Sequence, residues 1–237
     1  MEATIHQFPL FASAPRASRA DVDLHAISRP ARAFTGDFYF THRIGRRLWL
    51  AIGDVAGKGI EAAVVMAMIQ EELEQQIEAC AKANDDPVAM MTRLDLLLRS
   101  LLPSNRFATA AIVQVDDDGQ LIVVNGGHCP LLVARRDGTI ESIGSTGPVV
   151  GILPTPLWRS VVTPFGHGDT LLAYTDGVIE ARSDDDEEFG AARLQQEFVS
   201  AASAKNATKV AERIATAVAA HSGARRDDDL TIVVARR

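Results

Sequence analysis

Four apolar runs in this chain are each flanked at one end by an aspartate beside a turn-forming residue, and the aspartates are Asp37, Asp54, Asp176 and Asp228. Short apolar runs bounded in this way are typical of β-strands. A fold that brings strand ends together would converge the four carboxylates. Converging carboxylates repel one another and are tolerated mainly where they share hard cations. The pattern therefore predicts a sheet-rich fold with a divalent-cation site at the strand ends.

The order of the predicted elements favours an α+β fold rather than regular strand–helix alternation. Strands come first, two helices follow, hairpin-linked strands come next, and two more helices precede a last strand. This order is typical of mainly antiparallel sheets covered by helices. The predicted strands cover residues 22–27, 38–44, 48–52, 109–115, 121–124, 131–134, 139–143, 158–162, 170–174 and 230–235.

The predicted helices are recognised by apolar residues at helical spacing and by their end signals. The first has a stripe formed by Val65, Ile69, Leu73, Ile77 and Cys80. Its first half, residues 62–69, is apolar on all sides and is predicted to be buried. The second begins after the N-cap Asp86 with Pro87 at its first position. The last two cover residues 191–200 and 207–220.

Composition indicates an ordinary globular protein and excludes some partners. The 237 residues are 47% hydrophobic and 23% charged, and the net charge of −7 disfavours nucleic acid and anionic membranes. No apolar run approaches the ~20 residues that a bilayer requires.

Cys80 and Cys129 are interpreted as unpaired thiols because they lack a paired-cysteine spacing. We expect a cytoplasmic protein with a flexible N-terminal arm, residues 1–21, and one domain, residues 22–237.

Residues 53–59, Gly-Asp-Val-Ala-Gly-Lys-Gly, invite comparison with a nucleotide-binding loop but do not match one. Three residues separate the first two glycines where a P-loop has four, and Gly59 stands where Ser or Thr would hold Mg²⁺. The segment instead offers a strand end, a carboxylate and a tight turn, which could present Asp54 and a backbone carbonyl to one cation. A structural turn in which Asp54 caps a helix is the alternative.

The other polar segments are ambiguous when each is taken alone. Residues 175–177 (Thr-Asp-Gly) could be only a turn, and residues 227–229, three aspartates, could be only a solvated loop. The acidic runs at residues 116–118 and 184–188 are interpreted as exposed. His128 follows two glycines and has no second histidine nearby, which favours a structural or loop-shaping role.

Six motifs, in order along the chain, resemble the SpoIIE/RsbU-like bacterial branch of the PP2C-type (PPM) metal-dependent serine/threonine protein phosphatases. The resemblance covers about residues 22–237. The motifs are residues 35–39 (Thr-Gly-Asp-Phe-Tyr), 52–59 (Ile-Gly-Asp-Val-Ala-Gly-Lys-Gly), 127–132 (Gly-His-Cys-Pro-Leu-Leu), 174–181 (Tyr-Thr-Asp-Gly-Val-Ile-Glu-Ala), 189–194 (Phe-Gly-Ala-Ala-Arg-Leu) and 228–231 (Asp-Asp-Leu-Thr).

The resemblance implies a four-layer αββα sandwich of two antiparallel sheets, with the active site between the sheets at one edge. It also implies two bound ions, Mn²⁺ or Mg²⁺. Asp54 would bridge the ions, the carbonyl of Val55 would hold one, and Asp176 and Asp228 would hold the other. Asp37 would bind directly or through water. Ligands that are all oxygen suit such hard cations, and the absence of clustered His or Cys disfavours zinc.

The implied activity is hydrolysis of phosphoserine or phosphothreonine on a small regulatory protein, such as a phosphorylated anti-sigma-factor antagonist. A metal-activated water would attack the phosphoryl group, and no covalent enzyme intermediate would form. Regulation would come from a separate regulatory protein or from a homodimer.

Some positions depart from the family pattern or leave an alternative open. Phe40 stands where many relatives have a further aspartate, so a water-mediated ligand would be missing. Val55 and Ala56 replace the Gly-His of the eukaryotic branch, so the general acid proposed there is absent. Asp229 would support a neighbouring ligand. A catalytically impaired binding module that sequesters a signalling partner is the alternative function, and a small-molecule phosphatase is a third.

Overall fold

The computed structural model describes the greater part of the chain. The described residues are 22–31, 35–44, 47–57, 64–66, 68–69, 71–73, 75–76, 79, 86–102, 106–116, 118–223 and 227–237. The expected N-terminal arm at residues 1–21 lies outside the described residues, as do Ile77 and Cys80 of the first predicted helix.

Within the described residues, ten strands form two sheets in which every neighbouring pair is antiparallel. The strands are β1 (Asp23–Arg29), β2 (Asp37–Ile44), β3 (Arg47–Val55), β4 (Ala108–Val115), β5 (Gln120–Gly126), β6 (Leu131–Ala134), β7 (Ile140–Ile143), β8 (Val161–Pro164), β9 (Thr170–Tyr174) and β10 (Leu230–Arg236). One sheet, here called the β10 sheet, has the order β1-β10-β9-β6-β7. The other, the β3 sheet, has the order β2-β3-β4-β5-β8.

The helices carry the end signals that the sequence predicts. They are α1 (Pro87–Leu101), α2 (Ala191–Ala202) and α3 (Ala207–Ser222), and the described residues between 64 and 79 are also helical. The Asp86 side chain caps α1 by accepting a hydrogen bond from the amide of Ala89 at 2.9 Å. Asn206 caps α3 in the same way. No helix in the described part of the chain is long and apolar enough to cross a membrane.

Three apolar clusters show how the layers are stacked. The inner cluster joins the facing sides of the two sheets, with Leu50 and Ile52 from β3 opposite Val233 from β10. One outer cluster packs α1 and the helical residues between 64 and 79 on the β3 sheet. The other packs α2 and α3 on the β10 sheet. The layers therefore follow the order helices, sheet, sheet, helices, which confirms the predicted αββα sandwich.

The strand predicted at residues 158–162 was wrong at its start, because β8 begins only at Val161. Trp158 is 7% exposed and packs into the cluster beneath α1. Its indole nitrogen donates a hydrogen bond to the Pro148 carbonyl at 2.8 Å. Burial of this large side chain and the bond to its polar nitrogen hold Trp158 in the preceding loop.

The prediction that residues 62–69 are buried on all sides was also wrong for the residues that the structure describes. Val64 and Met68 are 53% and 45% exposed, whereas Met66 and Ile69 are buried. A helix in an outer layer buries only the stripe that faces its sheet. Apolar residues on the other side of such a helix remain in contact with solvent.

We predict that Asp86→Ala lowers the free energy of unfolding by about 1 kcal/mol, because the amide of Ala89 loses its capping acceptor. Urea denaturation would measure the change. Asp185→Ala, which removes an exposed aspartate, is the matched control and should change stability by less than about 0.5 kcal/mol. Equal losses in the two variants would contradict the capping role of Asp86.

Candidate metal centre

The inner faces of both sheets change from apolar to polar at one end of the sandwich. Side chains alternate along a strand, so Leu50 and Ile52 of β3 share a face with Asp54. The same alternation places polar residues beyond the inner apolar residues of five more strands. The polar residues at this end are Asp37, Asp54, Thr109, Asn125, Thr175 and Thr231.

Asp37 and Asp54 lie directly opposite each other in the β2–β3 ladder. Residues paired in this way have Cα atoms about 4.5–5.5 Å apart and side chains on the same face. Asp37 is only 5% exposed. Two carboxylates are therefore placed side by side in a mostly buried position, and one charge adds to the electrostatic cost of the other.

The carboxylate of Asp37 also connects the two sheets. Its Oδ2 atom accepts hydrogen bonds from the hydroxyl of Thr175 at 2.8 Å and from the hydroxyl of Thr231 at 2.7 Å. The amide of Thr231 in turn donates to Thr175 Oγ1 at 3.0 Å. Burial raises the pKa of Asp37 to about 7, although the two hydroxyl bonds lower it.

Asp54 lies at the electrostatic centre of the cluster. Burial is the main cause that raises its pKa from 3.8 to about 8. The remaining causes are the negative charges of Asp37, Asp176, Asp228 and Asp229. The structure thus gathers all four aspartates that the sequence singled out, and a cation among them would relieve their repulsion.

A close backbone contact brings Asp176 and Asp228 to the same place. Asp176 begins a 3₁₀ turn, Asp176–Val178, directly after β9, and Asp228 lies two residues before β10. A Cβ atom on Gly177 would lie 1.9 Å from the carbonyl oxygen of Asp229. Only glycine permits this approach, so the Asp-Gly sequence here is more than an ordinary surface turn.

Val55 and Gly36 form the backbone side of the cluster. The amide of Val55 donates to the Gly36 carbonyl at 3.2 Å. A Cβ atom on Gly36 would lie 2.8 Å from Oδ1 of Asp54 and 3.1 Å from the carbonyl oxygen of Val55. The backbone at Gly36 therefore packs closely against the side-chain and main-chain oxygens that a cation would use.

His128 supports the strand ends and is not placed among the carboxylates. Its ring is buried, and Nδ1 lies 2.9 Å from Thr109 Oγ1. Burial lowers the pKa of His128 to about 4, so the ring is neutral at physiological pH. The amide of His128 donates to Asn125 Oδ1 at 2.8 Å, which fixes the turn after β5. These contacts agree with the predicted structural role.

The denser acidic runs, which the sequence predicted to be exposed, are exposed at Asp118 and at residues 184–188, whereas Asp116 is half-buried. Asp116 accepts hydrogen bonds from the amides of Asp118 and Gln120 inside a hairpin. Residues 184–188 are exposed, and Arg182 forms ion pairs with two of them.

The donor set fits a hard divalent cation, although the carboxylates are not yet in a ligating arrangement. Among the described residues, no three carboxyl, imidazole or thiol groups lie close enough to hold one ion as they stand. The carboxyl groups at the strand ends nevertheless lie close enough for neighbouring negative charges to raise the pKa of Asp37 and Asp54. Carboxylate and carbonyl oxygens are the donors that Mg²⁺ and Mn²⁺ prefer.

Sequence reasoning missed the polar residues that support the strand ends, where Thr175 and Thr231 hold Asp37 and two others hydrogen-bond to His128. Thr109, Asn125, Thr175 and Thr231 were not assigned any role. The available signal was alternation, because each of them continues the inward-facing positions of its strand by two residues.

Comparisons with known proteins agree with this architecture. A family model described as Stage II sporulation protein E (SpoIIE) matches residues 44–237. Protein IcfG of Synechocystis sp. is 29% identical over 240 residues, which cover 90% of this chain and 38% of IcfG. Phosphoserine phosphatase RsbU of Bacillus subtilis is 25% identical over 218 residues, which cover 91% of this chain and 63% of RsbU. The chain thus spans less than two thirds of these relatives.

A solved structure shows the same fold. The SiaA-PP2C domain of Pseudomonas aeruginosa superposes with a TM-score of 0.80 at 23% identity, over 90% of this chain and 85% of that domain. Two antiparallel sheets between helix layers, shared with this domain, place the chain in the PP2C-type class of fold. The chain belongs to the SpoIIE family, because the family model matches more than half of it.

We predict that the metal-free protein loses stability as pH rises from about 5 to about 8.5, in a way that depends on Asp54. The folded-state pKa values of Asp37 and Asp54 are raised to about 7 and about 8, so folding favours their protonated forms. Their contribution is complete below the unfolded pKa and is lost as pH rises through the folded values.

Melting temperatures in excess chelator would measure this effect. The decline between pH 5 and 8.5 should be steeper for the wild type than for Asp54→Asn, because the amide side chain of that variant cannot ionise. Asp185→Asn, at an exposed position, should follow the wild-type curve. Parallel curves for the wild type and Asp54→Asn would show that Asp54 is not held near its protonated form.

Proposed function

We propose that this chain is a divalent-metal-dependent protein serine/threonine phosphatase. The main observation in support is the convergence of four carboxylates at one end of a two-sheet sandwich, where burial and the neighbouring negative charges raise the pKa of Asp37 and Asp54. Membership of the SpoIIE family supports the same conclusion, since a relative that this chain resembles is named a phosphoserine phosphatase. The reaction would be hydrolysis of a phosphoric monoester.

The proposed ligands divide between two ions, Mn²⁺ or Mg²⁺. Asp54 would bridge the ions and the carbonyl of Val55 would bind one of them. Asp176 and Asp228 would bind the other. Asp37 would contribute directly or through water, since only its Oδ2 atom is engaged by the two threonine hydroxyls. When bound, such ions supply an activated water and neutralise charge on the phosphoryl oxygens.

The chain's own residues would hold the ligands of this centre in position. Thr175 and Thr231 hold the Asp37 carboxylate in place, and the Gly177 contact sets the separation of Asp176 and Asp228. The buried, neutral ring of His128 is bonded to Thr109 and therefore positions a strand end. No side chain is assigned as general acid, so solvent would protonate the leaving alkoxide.

The substrate we propose is a small phosphorylated regulatory protein, such as an anti-sigma-factor antagonist. A separate regulatory protein or a homodimer would control the reaction. The similarity to a protein named phosphoserine phosphatase RsbU supports phosphoserine as the group that is hydrolysed. A comparison of initial rates on phosphoproteins and on phosphorylated metabolites would distinguish it from a small-molecule phosphatase.

The structure weakens the main reason to favour a catalytically impaired binding module. Phe40 packs against the outer cluster beneath the helices, and its ring stacks on His42 with centroids 5.9 Å apart. Position 40 thus lies on the opposite face of β2 from Asp37. The replacement of an aspartate by Phe40 therefore removes no side chain from the face that carries Asp37 and Asp54.

We predict that Asp54→Ala and Asp176→Ala each lower Mn²⁺-dependent hydrolysis of an aryl phosphate by more than about 100-fold, because each loses a ligand. Initial rates would be measured over a Mn²⁺ titration. The control Asp185→Ala, at an exposed site, should keep the wild-type rate. Wild-type activity in either ligand variant, or in excess chelator, would refute the proposed mechanism.

A further inference from the structure

Asp229 follows the proposed ligand Asp228, yet its carboxylate is used differently. Oδ1 accepts a hydrogen bond from the amide of Ala31 at 2.8 Å, and Oδ2 accepts one from the amide of Gly36 at 3.0 Å. Both amides lie on the segment between β1 and β2, almost two hundred residues away in sequence. One carboxylate oxygen of Asp229 therefore holds the amide at the start of this segment, and the other oxygen holds the amide at its end.

These two bonds fix the backbone that lies against Asp54. Gly36 lies so close that a Cβ atom there would be 2.8 Å from Asp54 Oδ1 and 3.1 Å from the Val55 carbonyl oxygen. The Gly36 carbonyl also accepts the amide of Val55 at 3.2 Å. The position of Gly36 thus limits where the two proposed ligand oxygens of β3 can move, and Asp229 determines the position of Gly36.

We propose that Asp229 is a positioning residue for the metal centre, which acts through Gly36 on Asp54 and on the carbonyl of Val55. This inference rests on the proposed function, because it assumes that these oxygens bind divalent ions. Each oxygen of the Asp229 carboxylate already accepts a backbone amide, so the role proposed for Asp229 is to orient the neighbouring ligands rather than to bind an ion. It connects the start of β10 in one sheet to the bridging aspartate of the other.

An aspartate is required at position 229 because two backbone amides each need a hydrogen-bond acceptor there. The amide side chain of Asp229→Asn would keep one oxygen acceptor and place an NH₂ group opposite the second backbone amide, so it would preserve one bond. The methyl side chain of Asp229→Ala would preserve neither bond. Groups that orient metal ligands typically change metal affinity by about 10–100-fold when they are removed. The expected order of Mn²⁺ affinity is therefore wild type, Asp229→Asn and then Asp229→Ala.

Binding of Mn²⁺ would be measured by the electron paramagnetic resonance signal of the free ion, which does not depend on catalysis. Asp229→Ala should raise the dissociation constant by about 10–100-fold and Asp229→Asn by less. The number of ions bound at saturation should not change. Saturating Mn²⁺ should restore kcat to within a few-fold of the wild-type value. Asp185→Ala, which removes an exposed charge from the acidic run of residues 184–188, is the charge-matched control and should bind Mn²⁺ nearly as the wild type does.

A second substitution tests the contact between Gly36 and Asp54 directly, without changing Asp229. Gly36→Ala leaves Asp229 intact but places a methyl group against Asp54 Oδ1, so it should also weaken Mn²⁺ binding. Unchanged Mn²⁺ affinity in folded Asp229→Ala would overturn the inference. Loss of one bound ion at saturation in this variant would also overturn it, because Asp229 would then be a direct ligand. Absence of Mn²⁺ binding by the wild-type protein would instead overturn the proposed function.

Discussion

The hydrogen bonds that Asp37 accepts from Thr175 and Thr231 join the two sheets at the edge where the proposed centre lies. The apolar cluster between the sheets, by contrast, is not directional and tolerates small shifts. A buried carboxylate that accepts two hydroxyls fixes both distance and orientation, because leaving any of these groups unpaired would be costly. The alignment of the strand ends, and therefore the meeting of Asp54 with Asp176 and Asp228, depends on this contact.

The same arrangement places several carboxyl groups close together at the strand ends, where their negative charge does not stabilise the fold. Burial and mutual repulsion raise the pKa of Asp37 and Asp54 to about 7 and about 8, so the ionised forms oppose folding near neutral pH. The apolar clusters on both sides of each sheet hold the strands together despite this repulsion. The absence of a side chain at Gly36 and Gly177 allows the backbone to approach these charged segments closely. Such a site is prepared for a cation because the protein has already brought the repelling groups together.

The sequence was sufficient to predict most strands, the layer order and the four aspartates, because alternation, turn residues and ordered motifs are local signals. It was not sufficient for Thr175 and Thr231, since a threonine at a strand end is ordinary and its partner Asp37 lies 138 and 194 residues away. The sequence also could not predict which backbone amides bind Asp229, because those amides are almost two hundred residues away and only tertiary packing brings them close. Trp158 was misassigned because an aromatic residue beside β-branched residues suggests a strand, whereas burial of the indole in the α1 cluster determined its place.

The central claim is that the carboxylates at the strand ends bind two divalent ions. Anomalous diffraction from crystals soaked in Mn²⁺ tests this claim most directly, because it locates the ions without any assay of activity. We predict two peaks about 3.5–4 Å apart, with Asp54 between them and Asp176 and Asp228 beside one of them. The absence of peaks at the strand ends, or peaks only at the exposed acidic run of residues 184–188, would contradict the account.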